Sequence, residues 1–194
     1  MPSRLTGRVI GVLFLAAFLC YGVGTALAPR PIGWGLMVTN SLVVIGIGVL
    51  VHRVLGRVRP AVAWGYLLAR IVEGVVLAVG VAMLVAGRSG ANELAYQLAM
   101  LGLVIGSIPF CRALHRDLRL PGWLAGWGAG GYLLLGVGML LQLFRLIGPT
   151  AGVLLSVPGG LFEIALGVTL AVAGLPSRPA GAGAASGRVT TGAA

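Results

Sequence analysis

Long apolar runs separated by short polar segments make up most of the chain, and they predict six membrane-spanning helices. Each run has roughly 20 residues or more, which is enough for a helix to cross a bilayer. Arginine, proline and glycine mark the breaks between the runs, as expected where a helix ends at the membrane surface. The predicted spans are residues 9–28, 35–55, 61–86, 93–114, 121–144 and 151–174.

The first run also has features of a cleavable signal peptide. Arg4 and Arg8 precede its apolar core, which ends in Ala26-Leu27-Ala28. Pro29 would directly follow the cut, where proline is poorly accepted, and the apolar run is long for such a signal. We therefore interpret this run as a helix that stays in the protein.

The arginines predict how the spans are oriented. Ten of them would lie on the side that holds both termini and three on the opposite side, while Arg70 lies inside the third span. An excess of arginine marks the cytoplasmic side, so both termini are predicted to be cytoplasmic. Residues 175–194 are rich in Pro, Gly, Ala and Ser, and they are predicted to form a disordered cytoplasmic tail after a transmembrane domain of residues 1–174.

The composition agrees with an all-α polytopic membrane protein whose main partner is the lipid bilayer. Hydrophobic residues make up 58% of the chain, charged residues 9%, and the mean hydropathy is +1.03, outside the range of soluble domains. The net charge of +10 does not indicate nucleic-acid binding, because the arginines are spread over short loops. Cys20 and Cys111 would lie at different depths, which argues against a disulfide.

Ionisable residues inside the third and sixth spans are the candidate site. Arg70 and Glu73 fall on one helical face together with Tyr66, and Glu73 is near the middle of its span. An ionised side chain at this depth costs about 2.5 to 3.5 kcal/mol on insertion scales, so it is expected to have a partner. Glu163 is equally deep in the sixth span. The three charges are therefore expected to meet, with one net negative charge if all are ionised.

Two interpretations of these charges stay open. In the first, Glu163 binds and releases a proton or coordinates a cation, in a small transporter or ion-handling protein for an unidentified small solute or ion. Residues 158–160, Pro-Gly-Gly, would then break the sixth helix and line a cavity. Asn40 would contribute to the site, although such a residue more often forms an interhelical hydrogen bond. In the second, Arg70, Glu73 and Glu163 only fix helix packing in a structural or accessory subunit.

The sequence indicates no catalytic constellation, so the chain is expected to be neither an enzyme nor the carrier of a cofactor. His52, His115 and Asp117 fall on one side of the membrane but lack the spacing of metal ligands. Small residues at a spacing of four predict close helix packing within the chain, with a homo-oligomer as the alternative. These residues are Gly102 and Gly106 in the fourth span, and Gly122, Gly126 and Gly130 at the fifth.

A shift of 90 residues aligns similar segments of the two halves of the chain. Gly48 then aligns with Gly138, and Glu73 aligns with Glu163. Each half would contain three spans, an odd number, so the halves would run in opposite directions through the membrane. This 3+3 arrangement is the inverted repeat of many transporters, whose sites lie at the midplane. In so glycine-rich a chain, chance similarity is the alternative.

Several segments, taken in order, carry a resemblance to one family. They are Arg8-Val-Ile-Gly-Val-Leu-Phe-Leu15, Asn40 early in an apolar helix, Arg70-Ile-Val-Glu73, Pro121-Gly-Trp-Leu124 with Trp127-Gly128, and Pro158-Gly-Gly-Leu-Phe-Glu163. From about residue 8 to residue 174, the chain resembles the membrane family known as domain of unknown function 4386. Its loop between the third and fourth helices is shorter than the family suggests. The resemblance implies a multi-span protein of the bacterial inner membrane and implies no particular activity.

Overall fold

The computed structural model describes residues 4–28 and 30–175. These residues form six α-helices and no β-strand, and all six helices are long and apolar enough to cross a membrane. The predicted all-α, six-helix architecture is confirmed, and the protein is a multi-pass membrane protein. The helices are α1 (Arg4–Ala26), α2 (Pro31–Leu55), α3 (Pro60–Val85), α4 (Ser89–Arg116), α5 (Gly122–Leu143) and α6 (Pro149–Ala173).

The helices differ from the predicted spans mainly where they begin. Three of them begin with a proline, so that α2 begins four residues earlier than its apolar run. Proline suits the first position of a helix because its φ angle is already helical and its missing N–H would be unpaired there. Leu175, which the sequence assigns to the tail, is buried against Gly7 of α1. The rest of the predicted tail, residues 176–194, lies outside the described residues.

The six helices form a ring in which each helix contacts its two neighbours in chain order, and α6 closes the ring against α1. Short loops join consecutive helices, so neighbours run antiparallel. We call the side with Arg4, Leu175 and the α2–α3 and α4–α5 loops the terminus side. The side with the other three loops is the far side.

The predicted inverted repeat is not confirmed, and the order of the helices argues against it. Viewed from one side of the membrane, α1, α2 and α3 follow one another around the ring in the same sense as α4, α5 and α6. A rotation of 180° about an axis in the membrane plane turns one half of the chain over. Its three helices then follow one another around the ring in the opposite sense. Such an axis therefore cannot superimpose the first three helices on the last three, so the aligned segments do not correspond to symmetric halves.

Large buried side chains fill the ring from its middle towards the terminus side. The rings of Tyr66 and Phe110 stack with their centroids 4.1 Å apart. Phe14, Phe162 and Leu166 are also at most 1% exposed. On the outside of the ring, large apolar side chains are exposed, as expected of a surface that faces lipid. The interior is therefore closed towards the terminus side.

The contact between α5 and α6 uses glycines, but they are not the ones that the spacing of four predicts. Gly128 lies against the ring of Phe162, and Gly131 lies against the backbone of Gly159. A Cβ atom at Gly126 or Gly130 would meet no described atom within 4 Å. The predicted close packing is confirmed in α4, where a Cβ atom at Gly106 would meet Ala69 and the backbone of Gly65 of α3. It is wrong for Gly126 and Gly130, which lie on a different face of α5 from the residues that pack against α6.

Candidate functional site

The three predicted charges meet at the middle of the ring, which confirms this part of the prediction. Arg70 donates from Nη1 to Oε2 of Glu73 and from Nη2 to Oε1 of Glu163, both at 2.8 Å. Its Nε donates to the hydroxyl of Tyr66 at 2.9 Å. The guanidinium also lies over the rings of Tyr66 and Phe14, 5.2 and 5.4 Å from their centroids. Arg70 is 1% exposed, so its charge depends on these partners.

Helical spacing explains how α3 supplies most of this cluster. Tyr66, Arg70 and Glu73 are separated by four and three residues, so they lie on one face of the helix. That face points into the ring. Glu163 comes from α6, which is not a neighbour of α3 in the ring, so the ion pair with Arg70 bridges the interior.

Tyr132 of α5 is a member of this cluster that the sequence analysis missed. Its hydroxyl donates to Oε1 of Glu163 at 2.6 Å, and its ring meets Phe162 edge to face. A tyrosine in the middle of an apolar span was the available signal, because a buried hydroxyl usually has a hydrogen-bond partner. Its contact shows that α5 also helps to hold Glu163 in position.

The cluster has more carboxylate oxygens than donors to pair with them. Oε1 of Glu73 and Oε2 of Glu163 have no hydrogen-bond partner within the described parts of the chain. The side chain of Glu163 is 15% exposed and that of Glu73 is 5% exposed. With one guanidinium and two carboxylates, the ionised cluster has a net charge of minus one.

A cavity of about 400 Å³ adjoins these carboxylates, and residues from all six helices line it. It extends towards the far side: Gly22 is four residues before the end of α1, and Tyr96 and Ser156 are seven residues after the starts of α4 and α6. This volume lies within the range of small-molecule sites, about 300 to 1,000 Å³. Arg70, Glu73 and Glu163 form the floor of the cavity, next to the packed terminus side.

Asn40 lines this cavity and has no hydrogen-bond partner among residues 4–28 and 30–175. The residue is only 4% exposed. Burying an amide without a hydrogen bond is costly, so its polar atoms need water or a ligand inside the cavity. The expected interhelical hydrogen bond is wrong for this residue, and Asn40 remains a candidate for contact with a bound molecule.

The predicted break in α6 is also wrong. The helix continues through residues 158–160 without interruption, with Pro158 inside it. Gly159 lies against the backbone of Gly131 of α5, and this close contact supports the helical path. The backbone of α6 therefore does not unwind to line the cavity, and side chains supply the polar groups.

The cavity offers oxygen atoms to a positively charged ligand. Two carboxylates and one amide suit a hard cation or an ammonium group better than a metal that prefers nitrogen or sulfur. Among the described residues, no three His, Cys, Asp or Glu side chains lie close enough together to hold a metal ion. Asp117 is paired with Arg59 at 3.2 Å, and Nδ1 of His115 lies 3.1 Å from the carbonyl of Leu120. Cys20 and Cys111 are both free thiols.

Comparison with known proteins identifies a matching family. The model of a family described as "Domain of unknown function (DUF4386)" matches residues 31–174, which contain α2 to α6. No curated protein and no solved structure matches the chain.

Proposed function

Because the chain belongs to the DUF4386 family, whose description names no activity, we propose its function from the geometry of the cavity floor. The protein is a small transporter or ion-handling protein, in which a proton, a cation or a small solute reaches Glu163 and Glu73 from the far side. The cavity itself is the observation that supports this proposal. It adjoins two carboxylates at the middle of the bundle, and each of them has an oxygen without a hydrogen-bond partner in the described structure.

The alternative is a structural or accessory subunit in which the charges only fix helix packing. Arg70 favours this alternative, because its hydrogen bond to Glu163 links α3 to α6. A purely structural network does not require a cavity beside it, nor a buried amide such as that of Asn40, which has no partner among the described residues. The cavity therefore favours a binding role, with Arg70 holding the two carboxylates in place.

We propose neither catalysis nor a cofactor for this cavity. Its polar groups are carboxylates, a guanidinium, phenols, an amide and the Ser156 hydroxyl. The Ser156 hydroxyl donates to the carbonyl of Val153 at 2.7 Å, and no base activates it in the described structure. The groups present suit binding and release of a charged species.

The proposed location is the bacterial inner membrane, with the terminus side in the cytoplasm. Arginines support this orientation, since eight described ones lie near the terminus side and three near the far side. The eight are Arg4, Arg8, Arg53, Arg57, Arg59, Arg112, Arg116 and Arg119, and the three are Arg30, Arg88 and Arg145.

Cysteine labelling is expected to show this orientation. In a protein with Cys20 and Cys111 replaced by alanine, Val58→Cys would place a thiol on the terminus side and Ser89→Cys on the far side, at exposed positions. A membrane-impermeant maleimide should label Ser89→Cys in intact spheroplasts and Val58→Cys only after permeabilisation. The reverse pattern would mean that the termini are outside.

Removal of the Glu163 charge is expected to abolish most charge movement by the purified protein. In liposomes on a solid-supported membrane, a pH step should give a transient current, because protons that enter the cavity cross part of the membrane. Glu163→Gln keeps the side-chain size and should reduce this current at least fivefold. The control is Glu93→Gln, the same change at an exposed position of α4. Absence of current in the wild-type protein, after pH steps and after Na⁺ or K⁺ steps, would contradict the proposed function.

A further inference from the structure

The size and charge of the cavity favour an organic cation over a bare ion. Its volume of about 400 Å³ is on the order of ten times the volume of a water molecule in the liquid. A proton or a metal ion at the floor would leave most of this space to water. The net charge of minus one at the floor suits a single positive charge, with oxygens of Glu73, Glu163 and Asn40 available to accept hydrogen bonds.

Aromatic side chains form much of the cavity wall above this floor. The rings of Tyr21 and Tyr96 stack with their centroids 5.6 Å apart, and both residues line the cavity. Phe18 and Tyr132 add two further rings to the lining. Aromatic faces attract cations and also bury apolar groups, so this wall suits a ligand with both properties.

The cavity also reaches the lipid-facing surface between α1 and α6. Near the terminus side, Gly11 of α1 lies against the backbone of Gly167 and Ala171. Gly22 is eleven residues further along, about three helical turns, so it is on nearly the same face of α1. A Cβ atom at Gly22 would nevertheless meet no described atom within 4 Å. The two helices are therefore tightly packed near the terminus side, still in contact where the Phe18 ring lies against Gly160, and separated at the level of Gly22.

The edges of this opening are apolar. Val157 and Leu161 of α6 line the cavity, and they are 43% and 50% exposed. Because the bilayer interior contains no water, an opening with apolar edges at this level suits a molecule that partitions into the membrane. A strongly hydrated ion would gain nothing from such a route.

We propose that the cavity binds an amphipathic organic monocation, a protonated amine with an apolar body, which enters between α1 and α6 from the far-side half of the bilayer. The ammonium group donates to the free oxygens of Glu163 and Glu73, and the amide oxygen of Asn40 accepts a further hydrogen bond. The apolar body lies against the rings of Tyr21 and Tyr96. This inference rests on the proposed function and names the class of solute that the site handles.

The test compares three probes of similar shape and different charge. They are 2-phenylethylamine, which is an ammonium ion at neutral pH, neutral 2-phenylethanol and anionic 3-phenylpropionate. Isothermal titration calorimetry with the protein in nanodiscs, corrected for empty nanodiscs, should show the amine binding at least tenfold more tightly than the alcohol. Glu163→Gln should weaken amine binding at least tenfold and leave alcohol binding unchanged. Glu93→Gln, the matched surface change, should alter neither.

A second variant keeps the test decisive if Glu163→Gln does not fold. Gly22→Trp places a large side chain in the open space between α1 and α6, leaves every charge in place and should weaken amine binding at least threefold. Equal affinity for amine and alcohol, tighter binding of the anion, or unchanged amine binding in both variants would overturn the inference. If the wild-type protein gives a current after a pH step but does not bind the amine more tightly than the alcohol, only this inference fails. Loss of both would also remove the proposed function.

Discussion

Replacing Arg70 with methionine is expected to lower the free energy of unfolding by about 3 to 5 kcal/mol, the range measured when one partner of a buried ion pair is removed. Arg70 is 1% exposed and is hydrogen-bonded to both Glu73 and Glu163 at 2.8 Å. Without it, two carboxylates would lie close together at the middle of the membrane with no positive charge between them. The Tyr66 hydroxyl would also lose its contact with Nε.

The measurement is equilibrium unfolding of the purified protein in mixed micelles, with helix content as the signal. Arg59→Met is the matched control, because Arg59 also pairs with a carboxylate, Asp117, but its side chain is 50% exposed. An exposed pair of this kind contributes about 0 to 1 kcal/mol. Similar losses in Arg70→Met and Arg59→Met would show that the central guanidinium does not hold the bundle together.

A combined variant separates the effect of charge from the effect of lost packing. Arg70→Met with Glu73→Gln and Glu163→Gln removes every charge of the cluster and keeps its approximate volume. A buried neutral amide costs less than a buried unpaired carboxylate, so much of the lost stability should return. If this triple variant is no more stable than Arg70→Met alone, the unpaired carboxylates are not the cause of the loss.

The sequence was sufficient to predict the number of helices and the three charged residues that form the floor of the cavity. A bilayer requires about 20 apolar residues per helix, so the runs in the chain can be counted directly. Glu73 and Glu163 both lie near the middle of their spans, where an ionised side chain needs a partner. Arg70 was the one cation at that depth. These predictions depended on depth in the membrane, which the order of residues along a helix determines.

Which helices are neighbours could not be predicted in the same way. A spacing of three or four residues defines a face of a helix but does not say what that face contacts. Gly126 and Gly130 therefore appeared to be packing residues, although α6 contacts α5 through Gly128 and Gly131. The free amide of Asn40 depends on the shape of the space between helices, and no pattern in the sequence encodes that shape.

The arrangement of the ring gives the bundle two unequal halves. Tyr66, Phe110 and Phe14 fill the interior next to the floor of the cavity, whereas the far-side half encloses open space. Both halves share the boundary between α1 and α6, which is closed at Gly11 and open at Gly22. The close approach of the two helix backbones at Gly11 is therefore one of the contacts that close the ring, and a single added methyl group tests it.

Gly11→Ala is expected to lower the free energy of unfolding by about 1 to 3 kcal/mol, the usual cost of adding atoms to a packed interface. A Cβ atom at Gly11 would approach the backbone nitrogen of Ala171 and the carbonyl oxygen of Gly167, so no side-chain rotation can relieve the overlap. The added atom therefore moves α1 away from α6, which opens the ring on the terminus side. Small residues are favoured where two membrane helices approach this closely, because packing supplies most of their attraction.

The control is Gly22→Ala, the same substitution on nearly the same face of the same helix. Its added Cβ meets no described atom within 4 Å, and alanine favours a helix by about 1 kcal/mol over glycine. Unfolding in mixed micelles should therefore show Gly22→Ala to be at least as stable as the wild-type protein and Gly11→Ala to be less stable than both. Equal stability of the two variants would mean that α1 and α6 are not in closer contact near the terminus side than near the far side. The lateral opening of the cavity would then lose its structural basis.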